Sequence, residues 1–141
     1  MPTGASDTTK RETVVVDASV VVTVLADPGA QGDAIAARLD GADLIAPSLL
    51  PYEVANVLRR RRNGGHLSSA EAALAFDGLA ELAVELWPWE VLANRVWQLG
   101  ENLSSYDGAY VALAEQTAAV LVTRDRHIAR APGILCRIEV F

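Results

Sequence analysis

The sequence predicts an α/β fold in three layers, in which helices cover both faces of a central parallel sheet of about five strands. Two features of the 141-residue chain support this class. Short aliphatic and β-branched runs, such as Thr13 to Val16 and Ala119 to Thr123, lack the polar alternation of a half-exposed strand. Longer segments between such runs carry apolar residues at helical spacing. Strands that alternate with helices form right-handed crossovers, so the strands run parallel.

The first half of the chain contains two predicted strands, three helices and one further apolar segment. In chain order these are strand 13–17, apolar segment 18–25, helix 30–39, strand 44–46, helix 49–62 and helix 70–83. Asp27-Pro28-Gly29 and Asn63-Gly64-Gly65 separate them, because glycine and proline interrupt regular structure. Ser68 or Ser69 provides the N-cap of the last helix.

The second half adds three strands and three helical segments. In chain order these are strand 85–87, helix 89–101, helix 106–116, strand 119–123, a helical turn at 125–130 and strand 135–140. Ser104 and Ser105 precede the second of the helices, where a serine hydroxyl can accept a hydrogen bond from a free backbone N–H.

Length and composition indicate a single domain. A chain of 141 residues that is 51% hydrophobic can bury one core but is too short for two domains. Residues 1–12 are small and polar, which predicts a flexible N-terminal tail, and residues 13–141 form the domain. Cys136 is the single cysteine, and no apolar run has the length of a signal peptide or a membrane span. We therefore expect a cytoplasmic protein with no membrane association.

The charge balance excludes two classes of function. A net charge of −6 excludes a general basic coat for nucleic acid. Lys10, in the predicted tail, is the only lysine of the chain, which excludes a mechanism that needs a lysine in the core.

Four acidic residues fall where a predicted strand ends or a helix begins. Asp17 and Asp125 follow buried strands, and Glu53 and Asp107 lie in the first turns of helices. Each alone is typical of a helix N-terminus. Together they should converge at the carboxyl edge of the sheet, where they would repel one another unless a cation is bound. Oxygen ligands without a nearby cysteine favour Mg²⁺, with Mn²⁺ as a substitute, over zinc.

Three small polar residues lie near these acids at suggestive spacing. Ser19, Asn56 and Thr123 could each support a carboxylate or a metal-bound water through a hydrogen bond. A local cap, a solvated helix face and a strand-end hydroxyl are the structural alternatives for the three, and the sequence leaves both interpretations open.

Arginines supply positive charge near the acids. Arg59 and Arg60 begin a run of four arginines at the end of a predicted helix, and Arg124 and Arg126 flank Asp125. These four are candidate RNA contacts, because guanidinium groups bind phosphate. The run also fits the preference of cations for helix C-termini.

Four segments keep an order and spacing characteristic of one family. They are Val-Val-Val-Asp17-Ala-Ser19, Tyr52-Glu53-Val-Ala-Asn56-Val-Leu-Arg59, Tyr106-Asp107-Gly-Ala-Tyr110-Val-Ala-Leu-Ala-Glu115 and Leu-Val-Thr123-Arg-Asp125. Together they resemble the PIN-domain nucleases, and most closely the VapC-type ribonuclease toxins of bacterial toxin–antitoxin pairs. The resemblance covers residues 14–141.

This resemblance implies a PIN domain over residues 13–141 that acts as a Mg²⁺-dependent endoribonuclease. Asp17, Glu53, Asp107 and Asp125 would be the catalytic acids and metal ligands, and water activated by one or two ions would hydrolyse the RNA phosphodiester. The resemblance further implies inhibition by a cognate VapB-like antitoxin, and acidic residues of that antitoxin are an alternative partner for Arg124 and Arg126. The Ala- and Leu-rich helices between Leu49 and Ala83 suggest an exposed apolar face for a homodimer and an antitoxin groove.

A second class of function fits the same residues. A non-catalytic PIN-like binding module could use its carboxylates only to pair with a basic partner peptide. A phosphoryl-accepting enzyme fits less well, because the domain has no lysine to hold the phosphoryl group. No glycine-rich loop follows the first strand, so a nucleotide cofactor site is not supported.

Overall fold

The computed structural model describes residues 11–141, and residues 1–10 of the predicted tail lie outside the described residues. The described chain contains seven α-helices, five strands and one short 3-10 turn. In chain order the elements are β1 (Thr13–Val16), α1 (Ala18–Ala26), α2 (Ala30–Leu39), β2 (Asp43–Pro47), α3 (Leu50–Asn63), α4 (Ser69–Glu81), β3 (Val84–Trp87), the 3-10 turn (Trp89–Val91), α5 (Ala93–Leu99), α6 (Ser105–Thr117), β4 (Val120–Thr123), α7 (Arg126–Arg130) and β5 (Ile138–Val140).

The five strands form one parallel sheet in the order β3-β2-β1-β4-β5. β1 lies at the centre, where Val15 is in register with Ile45 of β2 and Leu121 of β4. Every residue of β4 is buried, and so are Val14, Val15 and Val16 of β1. The aliphatic runs of the sequence are therefore β1 and its neighbour β4, as expected of strands covered on both faces.

Helices cover both faces of this sheet, which confirms the predicted three-layer α/β fold. α1 packs against α2, α3 and α4, the helices of the crossovers that lead from β1 to β2 and from β2 to β3. α5 packs on α6, and α6 contacts β1, β2 and β4. The crossover that contains α5 and α6 returns across the sheet from β3 to β4. Right-handed crossovers in opposite directions place their helices on opposite faces.

α6 is the most deeply buried helix. Residues 108–114 are all buried, including the full side chain of Tyr110. Within residues 11–141, no helix combines the length and apolar character that a membrane crossing requires.

Two predicted elements differ from the structure. The helix predicted over 89–101 is divided into a 3-10 turn and α5, and Leu92, between them, is buried with a backbone N–H that donates to the Trp89 carbonyl. The last strand starts at Ile138 instead of residue 135. The backbone N–H of Leu135 donates to the Glu115 carboxylate at 2.8 Å, so a side chain replaces the expected strand partner.

The last residues of the predicted tail contact the domain. The Glu12 carbonyl accepts a hydrogen bond from the Asp43 N–H at 2.7 Å, and the Glu12 carboxylate is paired with Arg38 at 2.8 Å. Arg11 forms an exposed ion pair with Asp43 at 3.1 Å. These contacts attach Arg11 and Glu12 to the domain just before β1.

Candidate active site

The four acids predicted from the sequence occupy strand ends and first helical turns. Asp17 directly follows β1 and is the N-cap of α1. Asp125 follows β4 and is the N-cap of α7. Glu53 and Asp107 lie in the first turns of α3 and α6. Because the carboxyl ends of parallel strands share one edge and β1 lies between β2 and β4, these positions belong to the same side of the sheet.

Asp17 is buried, and both of its carboxylate oxygens accept hydrogen bonds. Oδ1 accepts from the Ser19 hydroxyl at 2.6 Å and from the Val20 N–H at 3.1 Å. Oδ2 accepts from the Thr123 hydroxyl. Thr123 lies at the end of the neighbouring strand β4, so the bond joins the two central strands at the edge of the sheet. These donors fix the orientation of the carboxylate.

The same hydrogen bonds continue towards Asp125. The Thr123 hydroxyl accepts from the Asp125 N–H at 2.9 Å, and the Ser19 hydroxyl accepts from the Arg124 N–H at 3.1 Å. Asp125 in turn caps α7 by accepting from the His127 N–H at 2.8 Å. Ser19 and Thr123, expected to support the acids, thus contact Asp17 directly and hold the backbone that carries Asp125.

Glu53 is oriented by a residue that the sequence did not single out for this purpose. The Tyr110 hydroxyl donates to Glu53 Oε1 at 2.6 Å. Tyr110 lies one helical turn after Asp107 on α6, and burial together with the Glu53 carboxylate raises the pKa of its phenol. Sequence spacing placed Tyr110 on a helix but could not tell a packed ring from a hydrogen-bond donor. The spacing of Tyr110, one helical turn after the candidate acid Asp107, is the sequence feature that could have indicated a role for its hydroxyl.

Asp107 differs from an acid that only caps a helix. Glu71 occupies the third position of α4, as Asp107 does in α6. The Glu71 carboxylate accepts a hydrogen bond from the Ser68 N–H, and the Ser68 hydroxyl accepts one from the Glu71 N–H. These two bonds form a capping box. In α6 the Ser104 hydroxyl accepts from the Asp107 N–H at 3.1 Å. Within residues 11–141, however, the Asp107 carboxylate accepts no bond from the Ser104 N–H in return. The capping bonds lower the pKa of Glu71, whereas the pKa of Asp107 is raised.

Burial and mutual repulsion raise the pKa values of three of the four acids. Burial raises the pKa of Asp17, with a further contribution from the charge of Asp125, against the hydrogen bonds of Ser19 and Thr123. Burial also raises the pKa of Glu53, opposed by the Tyr110 hydroxyl and assisted by Asp107 and Asp17.

Asp107 follows the same pattern. Burial is the largest cause of its raised pKa, and the charges of Asp125 and Asp17 add to it, while the Ser104 hydroxyl and the His127 imidazole lower it. Each carboxylate is therefore less stable as an anion because the others are present.

The donor set fits a hard divalent cation. All four candidates are carboxylates, the preferred ligands of Mg²⁺ and Mn²⁺, and a bound cation would offset the repulsion that raises their pKa values. In residues 11–141 no three histidine, cysteine, aspartate or glutamate side chains already converge tightly enough to hold an ion.

The structure places the remaining candidates at different distances from the acids. Asn56 is exposed on α3, and in the described chain its side chain makes no hydrogen bond to a carboxylate. Arg59 and Arg60 lie towards the end of α3, about 9 Å or more along the helix axis from Glu53. Arg126 is exposed at the start of α7, beside Asp125.

Two other arginines already have partners. Arg61 forms an ion pair with Asp27 at 2.6 Å, which ties the end of α3 to the end of α1. The guanidinium of Arg124 donates from Nη1 to Thr23 Oγ1 at 2.8 Å. Thr23 is buried in α1, and no sequence pattern had indicated it as a functional residue.

Comparison with known proteins assigns this arrangement to a family. A model of the PIN domain matches residues 14–134, which include all four acids. The chain belongs to the PIN domain family. "Ribonuclease VapC1" of Mycobacterium tuberculosis is 38% identical over 127 residues, a match that covers 89% of this chain and 96% of that protein. "Ribonuclease VapC9" of the same organism is 36% identical and is covered over 97% of its length. This PIN domain is therefore one of the VapC-type members.

Solved structures show the same PIN fold. PAE2754 from Pyrobaculum aerophilum matches with a TM-score of 0.63 and 23% identity, over 92% of this chain and 84% of that one. VapBC2 from Rickettsia felis, solved with a DNA fragment from its promoter, matches with a TM-score of 0.61 and 14% identity, over 91% of this chain and 98% of that one.

Proposed function

We propose that this PIN domain is a divalent-metal-dependent endoribonuclease and the toxin of a toxin–antitoxin pair. One observation carries the proposal: Asp17, Glu53 and Asp107, which lie in three different elements, have pKa values raised by burial and by the charges of neighbouring acids. Such an arrangement is unfavourable for folding alone and favourable for binding a cation. The ribonuclease names of the VapC relatives support RNA as the substrate.

Each of these residues has a specific task in the proposed reaction. Asp17 and Asp107 are the direct metal ligands, and Glu53 and Asp125 act as ligands directly or through water. Ser19 and Thr123 hold the Asp17 carboxylate at fixed orientation. Asn56, which is exposed one turn after Glu53, stays a prediction as a partner of metal-bound water. A bound Mg²⁺, or Mn²⁺ in its place, supplies activation of a water molecule and compensation of charge at the scissile phosphodiester.

Arginines contribute the contacts to the RNA backbone in this proposal. Arg124 and Arg126 flank Asp125 and are the nearest in sequence to the acids. Arg59 and Arg60, farther along α3, would contact phosphates away from the cleaved bond.

The decisive experiment measures RNA cleavage by the purified chain with Mg²⁺, with Mn²⁺ and with EDTA. We expect cleavage with either ion and none with EDTA. Asp17→Asn should keep the fold, since the amide can still accept from Val20 and Ser19, and should lose Mg²⁺-dependent cleavage. Asp77→Asn is the matched control, because Asp77 is an exposed aspartate of α4 away from the carboxylates.

Two results would contradict the proposal. Cleavage by Asp17→Asn at the wild-type rate would show that the acids do not carry the reaction. Absence of cleavage by the wild-type chain, combined with binding of a basic peptide that Asp17→Asn weakens, would instead identify the non-catalytic binding module.

An inhibitory antitoxin and a homodimer complete the proposal. The helices α3 and α4 leave Tyr52, Leu74 and Phe76 exposed, with 76%, 75% and 55% of their surfaces accessible. Exposed apolar side chains on neighbouring helices favour a protein interface. A small VapB-like protein encoded beside this gene should abolish cleavage at a stoichiometric ratio. Sedimentation of the isolated chain should give the mass of a dimer, and Phe76→Ser should lower it.

A further inference from the structure

A buried hydroxyl lies on α1 one turn beyond the candidate active site. Thr23 exposes only 1% of its surface, and its neighbours in α1 are aliphatic. Its Oγ1 donates to the Ser19 carbonyl at 2.9 Å and accepts from Arg124 Nη1 at 2.8 Å. A buried threonine in an apolar helix usually satisfies its hydroxyl with the carbonyl four residues earlier. Here the same hydroxyl also holds an arginine.

Arg124 is consequently attached to α1 at two points. Its backbone N–H donates to the Ser19 hydroxyl at 3.1 Å, and its guanidinium donates to Thr23. Ser19 and Thr23 are four residues apart, so they lie on the same face of α1, about 6 Å apart along its axis. The first of these anchors, Ser19, also donates to Asp17, which links the position of Arg124 to the candidate active site.

The guanidinium keeps most of its hydrogen-bonding capacity. An arginine has five N–H donors, and in residues 11–141 the side chain of Arg124 makes a hydrogen bond only to Thr23 and no ion pair. The arginines 38, 61 and 95, in contrast, are each paired with a carboxylate. Within residues 11–141, Arg124 is therefore a cation that is held by hydrogen bonds and has no ion pair, and its backbone is bonded to the same Ser19 hydroxyl that contacts Asp17.

We propose that Thr23 is a positioning residue that holds Arg124 ready to bind a phosphate of the RNA substrate next to the scissile bond. The inference rests on the proposed ribonuclease function. The planar fork of a guanidinium matches phosphate oxygens, and holding it in place before binding lowers the entropy cost of the contact. A phosphate is favoured over a carboxylate of a protein partner, because Arg124 directly precedes Asp125 and shares its backbone anchors with the carboxylates.

The test separates positioning from charge by comparing Thr23→Val, Arg124→Ala and the double variant. Binding of a short RNA is measured in the cleavage-inactive Asp17→Asn background over a series of salt concentrations, and KM and kcat are measured in the active protein. Arg124→Ala should raise Kd about tenfold and reduce the salt slope by about one, the behaviour of a lost phosphate contact. Thr23→Val should raise Kd and KM several-fold with a small change in kcat.

Matched variants isolate the hydrogen bond to Arg124. Thr117 on α6 makes the same type of bond, from its hydroxyl to the Leu113 carbonyl at 2.7 Å, but within residues 11–141 it accepts no hydrogen bond from an arginine. Thr117→Val should leave Kd and KM unchanged, as should Arg130→Ala at the exposed end of α7. Thr23→Ser keeps the hydroxyl and should bind RNA as the wild type does. If Thr23→Val does not fold, Thr23→Ala removes the hydroxyl in its place.

The double variant decides whether the two residues act together. If Thr23 acts through Arg124, the double variant binds RNA no more weakly than Arg124→Ala. Additive losses, or equal Kd values for Thr23→Val and Thr117→Val, would overturn the inference. Unchanged RNA binding by Arg124→Ala with weaker antitoxin binding would assign the arginine to the partner instead. Absence of RNA cleavage by the wild type would contradict the proposed function itself, whereas cleavage that is insensitive to Arg124→Ala contradicts only this inference.

Discussion

Two helices of this protein start with a serine followed three residues later by an acid, and the two acids serve different purposes. In α4 the Glu71 carboxylate returns to the backbone of Ser68 and closes the cap. In α6 the shorter Asp107 does not reach back in this way, and its half-buried carboxylate is exposed to the charges of Asp17 and Asp125. The local sequence pattern is the same, so the surroundings determine whether the acid is a cap or a candidate ligand.

Paired substitutions of these acids should have opposite effects. Asp107→Asn removes a carboxylate whose pKa is raised, so the metal-free protein should melt at the same or a higher temperature. Cleavage should fall by more than about 100-fold, because charge stabilisation by a correctly held metal is worth several kcal/mol. Glu71→Gln should lower the melting temperature, because the Glu71 pKa is lowered by its cap, and should leave cleavage unchanged. Calorimetry and a cleavage assay on both variants provide the measurement, and loss of cleavage in Glu71→Gln would contradict the distinction.

Tyr110 is the residue whose role depends most on its three-dimensional contacts. Tyr110→Phe keeps the buried ring and removes the hydroxyl that donates to Glu53. If Glu53 is a metal ligand as proposed, loss of the hydroxyl that orients it should reduce kcat/KM by about 10- to 100-fold and raise the Mg²⁺ concentration needed for half-maximal activity. The bond lowers the pKa of Glu53, so its loss raises that pKa and moves the acidic limb of the pH–rate profile to higher pH.

Tyr52→Phe is the control for this prediction. Tyr52 directly precedes Glu53 but is 76% exposed. An acidic limb that stays at the wild-type pH in Tyr110→Phe would show that the hydroxyl does not act on Glu53.

At the scale of elements, the sequence predicts best what local composition determines. β1 and β4 are identifiable because a strand buried on both faces needs an apolar residue at every position, as Val14, Val15 and Val16 show. The start of β5 is not identifiable in the same way. Residues 133–136 have the composition of a strand end, but Arg95 donates to the Gly133 carbonyl and Glu115 accepts from Leu135. Such long-range side-chain bonds have no local sequence pattern.

The positions of the four acids could be predicted from the sequence, because they depend only on where strands end and helices begin. Asp17, Glu53, Asp107 and Asp125 lie at element ends, and a parallel sheet brings its carboxyl ends together whatever the side-chain details are. The residues that orient them were less accessible to sequence reasoning. Whether the Tyr110 hydroxyl meets Glu53, or the Thr23 hydroxyl meets Arg124, depends on how separate elements pack against each other.

The edge strand β5 depends on one arginine of α2. Arg38 donates from Nε to Glu139 of β5 at 2.6 Å and from Nη1 to Glu12, just before β1, at 2.8 Å. Arg38→Met should lower stability by about 0.5–1 kcal/mol, or about 2–4 °C in Tm, because the partners are partly exposed. Arg11→Met removes the more exposed pair with Asp43 and should change Tm by less.

The pH dependence of the same contact has a definite sign. Hydrogen bonds from Arg38 lower the pKa values of Glu12 and Glu139 below their ordinary value of 4.5. The stabilisation is therefore complete above about pH 4.5 and is lost as the pH falls through the lowered values. The difference in Tm between the wild type and Arg38→Met should shrink in that acidic range. A constant difference down to pH 3 would contradict the assignment to ionised carboxylates.

At the scale of the whole molecule, part of the net charge of −6 is concentrated at one place. Four of the acids belong to the candidate active site, where burial and mutual repulsion work against folding in the absence of a cation. The remaining surface is thus less acidic than the total suggests. The absence of a general basic coat is therefore compatible with the proposed RNA contact beside the acids, at Arg124 and Arg126.

Binding of Mg²⁺ should consequently stabilise the entire fold. At a concentration ten times its Kd, an ion that binds only the folded state adds about 1.4 kcal/mol, which corresponds to a rise in Tm of about 5 °C for a domain of this size. KCl at matched ionic strength should give a much smaller rise, because screening weakens repulsion between buried carboxylates only slightly. Asp17→Asn should abolish most of the Mg²⁺ effect, whereas Asp77→Asn should retain it. An equal rise with KCl, or an undiminished rise in Asp17→Asn, would show that Mg²⁺ acts on the general surface charge and that the four acids do not form its site.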